Sequence, residues 1–269
     1  MAPRVMKLKG NAEPRPGEDM LAERMRNIKH KVLIMSGKGG VGKTSVAVNV
    51  SVHLAEMGRR VAILDLDLHG PNVPPMVGAI GAPAVSEKGI EPLPTPFGVR
   101  VLSLGTLLPS RDAPVIWRGP LKHSAIRQML GDTNWGELDY LFVDLPPGTG
   151  DEALSAAHLI SGATGVVIVI TPQEVALMDG RRAIKFAEAL NLRVLGVVEN
   201  MAGEIFGSGG GKKLAEEYGV PFLGSVPMDP EVVRSGDEGV PVVKKDTPAG
   251  RALREVADRL LSLIESDTQ

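Results

Sequence analysis

Ser36-Gly37-Lys38-Gly39-Gly40-Val41-Gly42-Lys43-Thr44-Ser45 is the stretch on which the fold turns. Residues 37–44 fit G-x-x-x-x-G-K-[ST], the phosphate-binding loop or P-loop. Glycines let backbone N–H groups close on phosphate oxygens with no Cβ in the way. A helix opening behind the loop adds unsatisfied donors and a positive dipole. Lys43 places a cation on the β and γ phosphates, and Thr44 offers a hydroxyl to Mg2+. The pattern requires a strand before it and a helix after it; an apolar run at 32–35 and a helical stretch at 44–57 supply them. Lys38, directly after the first glycine, makes the loop a deviant form. It is poorly placed for its own cradle but can reach a nucleotide on a neighbouring subunit, as an arginine finger would.

Outward from the loop, near-continuous apolar runs recur at 61–64, 140–143, 166–170 and 194–198, with weaker ones at 99–104 and 222–226. They lack in/out alternation, as parallel strands covered on both faces do. Helical stretches lie between and after them at 121–130, 152–160, 174–190, 211–218 and 249–264. The alternation predicts a doubly wound α/β fold with a mostly parallel sheet. Residues 1–30 read as an N-terminal arm with a short helix over 18–28, and 31–269 as one P-loop ATPase domain. The Pro/Gly-rich stretch 70–98 reads as an irregular functional insertion. The stripe Leu253, Val256, Ala257, Leu260, Leu261, Ile264 reads as a core-docking helix; its polar face mixes signs, unlike a membrane-surface helix.

Two strand ends carry carboxylates. Asp65 and Asp67, spaced i, i+2, point the same way, toward the crevice at the carboxyl end of the sheet. Asp67 is placed to hold the water that attacks the γ phosphate, and Asp65 to hold Mg2+ through water. Leu141-Phe142-Val143-Asp144 is a Walker B pattern with Asp144 near the metal. The loop Leu145-Pro146-Pro147-Gly148-Thr149-Gly150-Asp151 that follows is a natural γ-phosphate switch. We therefore assign Lys38, Lys43 and Asp67 as catalytic, and Thr44, Asp144 and Asp65 to Mg2+. Gly37, Lys38, Gly39, Gly40, Val41, Gly42, Lys43, Thr44 and Ser45 are assigned to nucleotide contact.

The rest of the composition narrows the chemistry. Of 269 residues 43% are hydrophobic and 23% charged, an ordinary globular balance. A net charge of −2 gives no basic excess for nucleic acid. With no cysteine, thiolate zinc sites, disulfides and iron–sulfur clusters held by the chain's own thiolates are excluded, which makes any bound iron–sulfur cluster doubtful. The five histidines never pair at metal spacing, and neither H-E-x-x-H nor G-x-S-x-G occurs. No bilayer-length apolar run and no signal peptide are visible, so a cytoplasmic protein without membrane attachment is expected.

Gly70-Pro71-Asn72 spells the tripeptide of the GPN-loop GTPases. Guanine-specific P-loop proteins, however, usually offer N-K-x-D, and here the corresponding strand end reads Glu199-Asn200-Met201-Ala202. ATP is the expected nucleotide.

The combined text resembles the Mrp/ApbC (Nbp-type) family of deviant Walker A P-loop ATPases. These are iron–sulfur cluster carriers of the SIMIBI class, related to MinD and ParA. Beyond residues 36–44, the matching blocks are Leu64-Asp65-Leu66-Asp67-Leu68-His69-Gly70-Pro71-Asn72-Val73-Pro74 and Trp117-Arg118-Gly119-Pro120. Asp144 to Asp151, Thr171-Pro172-Gln173, Glu199-Asn200-Met201 and Pro227-Met228-Asp229-Pro230 complete them. The resemblance implies a homodimer with ATP and Mg2+ at the interface and Lys38 acting in trans. It also implies adenine framed by Asn200, Pro227 and Asp229. In one place the chain departs from the family. Most members carry a C-x-x-C loop after E-N-M, two pairs of which, one per subunit, bridge a 4Fe–4S cluster. Here only Ala202-Gly203-Glu204 separates Met201 from Ile205-Phe206-Gly207. The expectation is thus an ATPase of the cluster-assembly family without its own cluster site, working with a Cys-bearing partner protein. The alternatives are a MinD/ParA-like positioning ATPase, or a nucleotide-binding regulatory partner of a Cys-bearing paralogue.

Overall fold

The computed structural model describes residues 18–67, 70–107 and 119–266. The N-terminal arm at 1–17, Leu68 and His69, Trp117 and Arg118, and the last three residues lie outside the described residues. From the N-terminus run α1 (Glu18–Arg26), β1 (Ile28–Met35), α2 (Lys43–Glu56), β2 (Val61–Asp65) and α3 (Val73–Met76). Next come β3 (Val85–Ser86), β4 (Gly89–Ile90), β5 (Leu93–Pro94), β6 (Val99–Ser103), α4 (Leu104–Leu107) and α5 (Gly119–Gly131). The second half holds β7 (Leu138–Asp144), α6 (Asp151–Leu159), β8 (Gly165–Ile170), α7 (Glu174–Ala189) and β9 (Val194–Ala202). It ends with α8 (Gly210–Tyr218), β10 (Phe222–Pro227), α9 (Pro230–Glu238) and α10 (Pro248–Ser266).

Eight strands form one sheet in the order β10-β9-β8-β1-β7-β2-β6-β5. All neighbours are parallel except β5, which runs antiparallel to β6 at the edge. The expected doubly wound, mostly parallel sheet is what the chain builds. Within β1, Val32 and Ile34 face a core shared with α2 and α10, while Leu33 and Met35 face one shared with α5 to α8. Alternation of side chains is intact, but both faces are dry, so the sequence shows an unbroken apolar run. The apolar stripe of α10 lies in the first of these cores.

Three segments differ from the sequence reading. Strand β1 begins at Ile28, ahead of the polar-looking His30-Lys31. Lys31 is buried, and its ammonium donates to the Met25 and Ile28 carbonyls at 3.0 and 3.1 Å, closing the end of α1. The insertion at 70–98 is irregular over most of its length but also holds α3, the β3–β4 hairpin and β5. Helix α9 went unread; Asp229 caps it by accepting from Glu231 N at 2.9 Å, and Pro230 opens it.

Candidate functional site

The P-loop leaves β1 at the carboxyl edge of the sheet. Gly40 and Gly42 take φ of 77° and 82°, a left-handed conformation that side chains resist. Gly42 is the N-cap of α2 and brings no side-chain cap, so the helix's first N–H groups stay available to an anion. Gly37 is needed for packing: a Cβ there would lie 2.1 Å from the Asp179 carbonyl oxygen of α7. Ser36 Oγ donates to the Lys38 carbonyl at 2.8 Å and pins the loop's entry. Lys38 itself is half-buried, and its ammonium has no hydrogen bond or ion pair among the described residues.

Strand β7 lies between β1 and β2, which sequence order does not reveal. Its register sets Asp144 beside Ile34 on one side and Asp65 on the other. Lys43 Nζ donates to Asp144 Oδ1 at 2.5 Å, and Thr44 Oγ1 to Asp144 Oδ2 at 2.6 Å. A hydroxyl and a carboxylate held together are the hard oxygen donors that Mg2+ prefers. The residues present therefore fit the metal. Burial pushes the Asp144 carboxyl up from its ordinary range, against the pull of Lys43 and of the Thr44 hydroxyl.

Asp65 departs from its expected role. It is fully buried and both its oxygens are committed. Oδ1 accepts from Asp67 N at 3.0 Å; Oδ2 accepts from Ser103 Oγ at 3.0 Å and Val73 N at 3.4 Å. Its carboxyl ties the loop after β2 to β6 and α3. Burial and then the Asp144 charge push it up to about 7, while these hydrogen bonds pull the other way. Asp67, by contrast, lines the cleft and accepts from Gly70 N at 3.3 Å. Across from it the switch loop is tied to the P-loop strand, with Leu145 N donating to Ile34 O and Gly148 N to Ser36 O.

Together these elements border a cleft of about 580 Å³, ample for a nucleotide. Its lining includes the P-loop from Lys38 to Ser45 and Pro147. Part of the lining was not foreseen: Met76 of α3 and Val232, Val233, Gly236 and Asp237 of α9. Its only sequence signal was the Asp229-Pro230 helix start. The three residues expected around adenine stand apart from this lining. Asn200 Nδ2 donates to the Val41 carbonyl at 2.8 Å. Asp229 spends Oδ1 on Glu231 N and Oδ2 on Ala249 N. Pro227 ends β10, paired with Ala202 of β9. Among the described residues no group of three or more His, Asp or Glu could hold a further metal ion. Nor, among them, is any helix long and apolar enough to cross a membrane.

Residues 27–261 match the ParA-type family model described as NUBPL iron-transfer P-loop NTPase. An iron–sulfur cluster carrier protein of Saccharolobus solfataricus is 49% identical over 257 residues, covering 91% of this chain and 87% of the relative. A nucleotide-binding protein of Archaeoglobus fulgidus, solved in complex with ADP, superposes with a TM-score of 0.74 at 39% identity. The match covers 82% of this chain and 91% of that one. The cell division ATPase MinD of Pyrococcus furiosus gives a TM-score of 0.70 at 25% identity, over 87% and 99% of the two chains.

Proposed function

The chain belongs to the NUBPL iron-transfer P-loop NTPases of the ParA type, and on that premise we propose a slow Mg2+-dependent ATPase. It works as a homodimer in iron–sulfur cluster assembly and holds no cluster on thiolates of its own. The observation that carries the reading is Asp144, gripped at once by Lys43 and Thr44 at the edge of the cleft.

In this reading ATP lies along the P-loop, with its triphosphate on the loop's N–H groups and on Lys43. Thr44 and Asp144 hold Mg2+, which supplies charge neutralisation at the β and γ phosphates. Asp67 orients the attacking water. The switch loop at 145–150 senses the γ phosphate through Pro147 and passes the signal to the dimer. Asp65 acts at one remove, by fixing the backbone of Asp67. Adenine is favoured over guanine because the β9 end lacks N-K-x-D. The cargo chemistry falls to a partner. Cluster iron needs soft thiolates, and the segment replacing the family's C-x-x-C loop is a tight hairpin. Gly203 and Gly207 exchange N–H···O bonds of 2.8 and 2.7 Å, leaving three residues at the tip. Of these only Glu204 could ligate, and its oxygen is hard. A Cys-bearing protein would carry the cluster while this chain supplies the nucleotide-driven change of shape.

Lys38 supports the homodimer: a cation at the P-loop with no partner in its own chain among the described residues. Light scattering with a slowly hydrolysed ATP analogue is expected to show a dimer for the wild type and a monomer-shifted equilibrium for Lys38→Ala. A strict monomer in every nucleotide state would refute the role in trans.

A further inference from the structure

Asn200 and Met201 both close on the P-loop. Asn200 Nδ2 donates to the Val41 carbonyl at 2.8 Å, a buried bond between positions 159 apart in sequence. A Cβ on Gly42 would lie 2.1 Å from the same Nδ2 and 3.5 Å from Met201 Cε. Two consecutive side chains of β9 thus press on the two residues that immediately precede Lys43.

Asn200 is itself held firmly. Its neighbour Glu199 is buried and accepts from Gly209 N at 3.0 Å, Gly211 N at 2.7 Å and Ser225 Oγ at 2.7 Å. That carboxylate ties the end of β9 to α8 and β10. On the other side Met201 takes φ of 60°, a left-handed conformation costly for a side chain of its size. The turn leads into the hairpin closed by Gly203 and Gly207. The strand end is thus fixed from both directions.

We propose that Asn200 is a positioning residue that braces the phosphate loop, acting on the nucleotide's phosphates whatever the base. The proposal rests on the nucleotide-site reading above. P-loop N–H groups can face phosphate only if the loop's carbonyls face away. Asn200 takes up the Val41 carbonyl on the far side and fills the space beside Gly42. Losing the donor would strand a buried carbonyl and free the loop just before Lys43. One N–H and the carbonyl oxygen of the Asn200 amide stay available for a base, so bracing does not exclude an adenine contact.

The test is calorimetric titration of wild type and Asn200→Ala with Mg-ATP, Mg-GTP and inorganic tripolyphosphate, which has no base. The variant is expected to bind all three more weakly by a common factor of about 2- to 12-fold, the span of one net hydrogen bond. The ATP-to-GTP ratio stays unchanged. Amide hydrogen exchange should quicken across 37–42 while β8 keeps its protection; a general loss of packing would move both. If Asn200→Ala does not fold, Asn200→Leu keeps the volume without the donor and serves the same comparison. Unchanged tripolyphosphate affinity with weakened ATP alone would overturn the brace and make Asn200 a base reader. Wild-type protein that binds none of the three would overturn the nucleotide reading, and the brace with it.

Discussion

Asp67→Ala is expected to slow ATP hydrolysis by ~10²–10⁴-fold, the span for a positioned base or water holder, while ATP binding stays close to wild type. The residue borders the cleft, while the bonds that hold Asp144 come from Lys43 and Thr44. Removing it should therefore leave the phosphate cradle and the metal ligands in place. Its Oδ1 also accepts from Gly70 N, so alanine loosens the loop as well as removing the carboxylate. Asp67→Asn keeps that acceptor and should be nearly as slow, because it is the charge that orients and polarises water. Single-turnover phosphate release with both variants checks this. Normal turnover would move the role to another carboxylate. Asp65 is committed to the loop's backbone and to Ser103, so Asp151 at the start of α6 and Asp237 in the cleft lining are the next to test.

Lys43→Ala is expected to weaken Mg-ATP binding by ~1.5–3 kcal/mol, the scale of a hydrogen bond to a charged group. In a titration that is about a 10- to 150-fold rise in Kd. The change also takes away the cation paired with buried Asp144. Breaking a buried pair from one side often costs ~3–5 kcal/mol of stability. The penalty should be smaller here, since burial already pushes the Asp144 carboxyl toward its neutral form. Adding Asp144→Asn to Lys43→Ala should recover stability, measured as Tm, without recovering affinity. Recovery of both would mean that Lys43 serves only to neutralise Asp144.

The parts of the site set by local sequence were legible. Glycine spacing, a lysine and a hydroxyl at a helix start, and apolar runs ending in aspartate each encode their own geometry. What could not be read depends on pairing at long range. No local pattern says that β7 inserts between β1 and β2, yet this insertion brings Asp144 onto Lys43 and sets it directly beside Asp65. Asp65 and Asp67 share an i, i+2 spacing, but the first is drawn inward by Ser103 from β6 and only the second reaches the cleft. The start of β1 was hidden because Lys31 looks like a surface residue until its ammonium is seen capping α1. Helix α9 is short and carries Arg234, Asp237 and Glu238 among its few apolar residues, so Val232 and Val233 read as loop. They line the cleft together with the P-loop.

Two properties joined in the family's description, iron transfer and nucleotide hydrolysis, come apart in this chain if the proposed function holds. One preparation, reconstituted anaerobically with iron and sulfide, desalted and then assayed for phosphate release from Mg-ATP, tests both. The account predicts Mg2+-dependent phosphate release from protein that retains no stoichiometric iron, sulfide or visible-region cluster absorbance. Iron and sulfide that survive desalting in stoichiometric amounts, or ATP left intact, would contradict it.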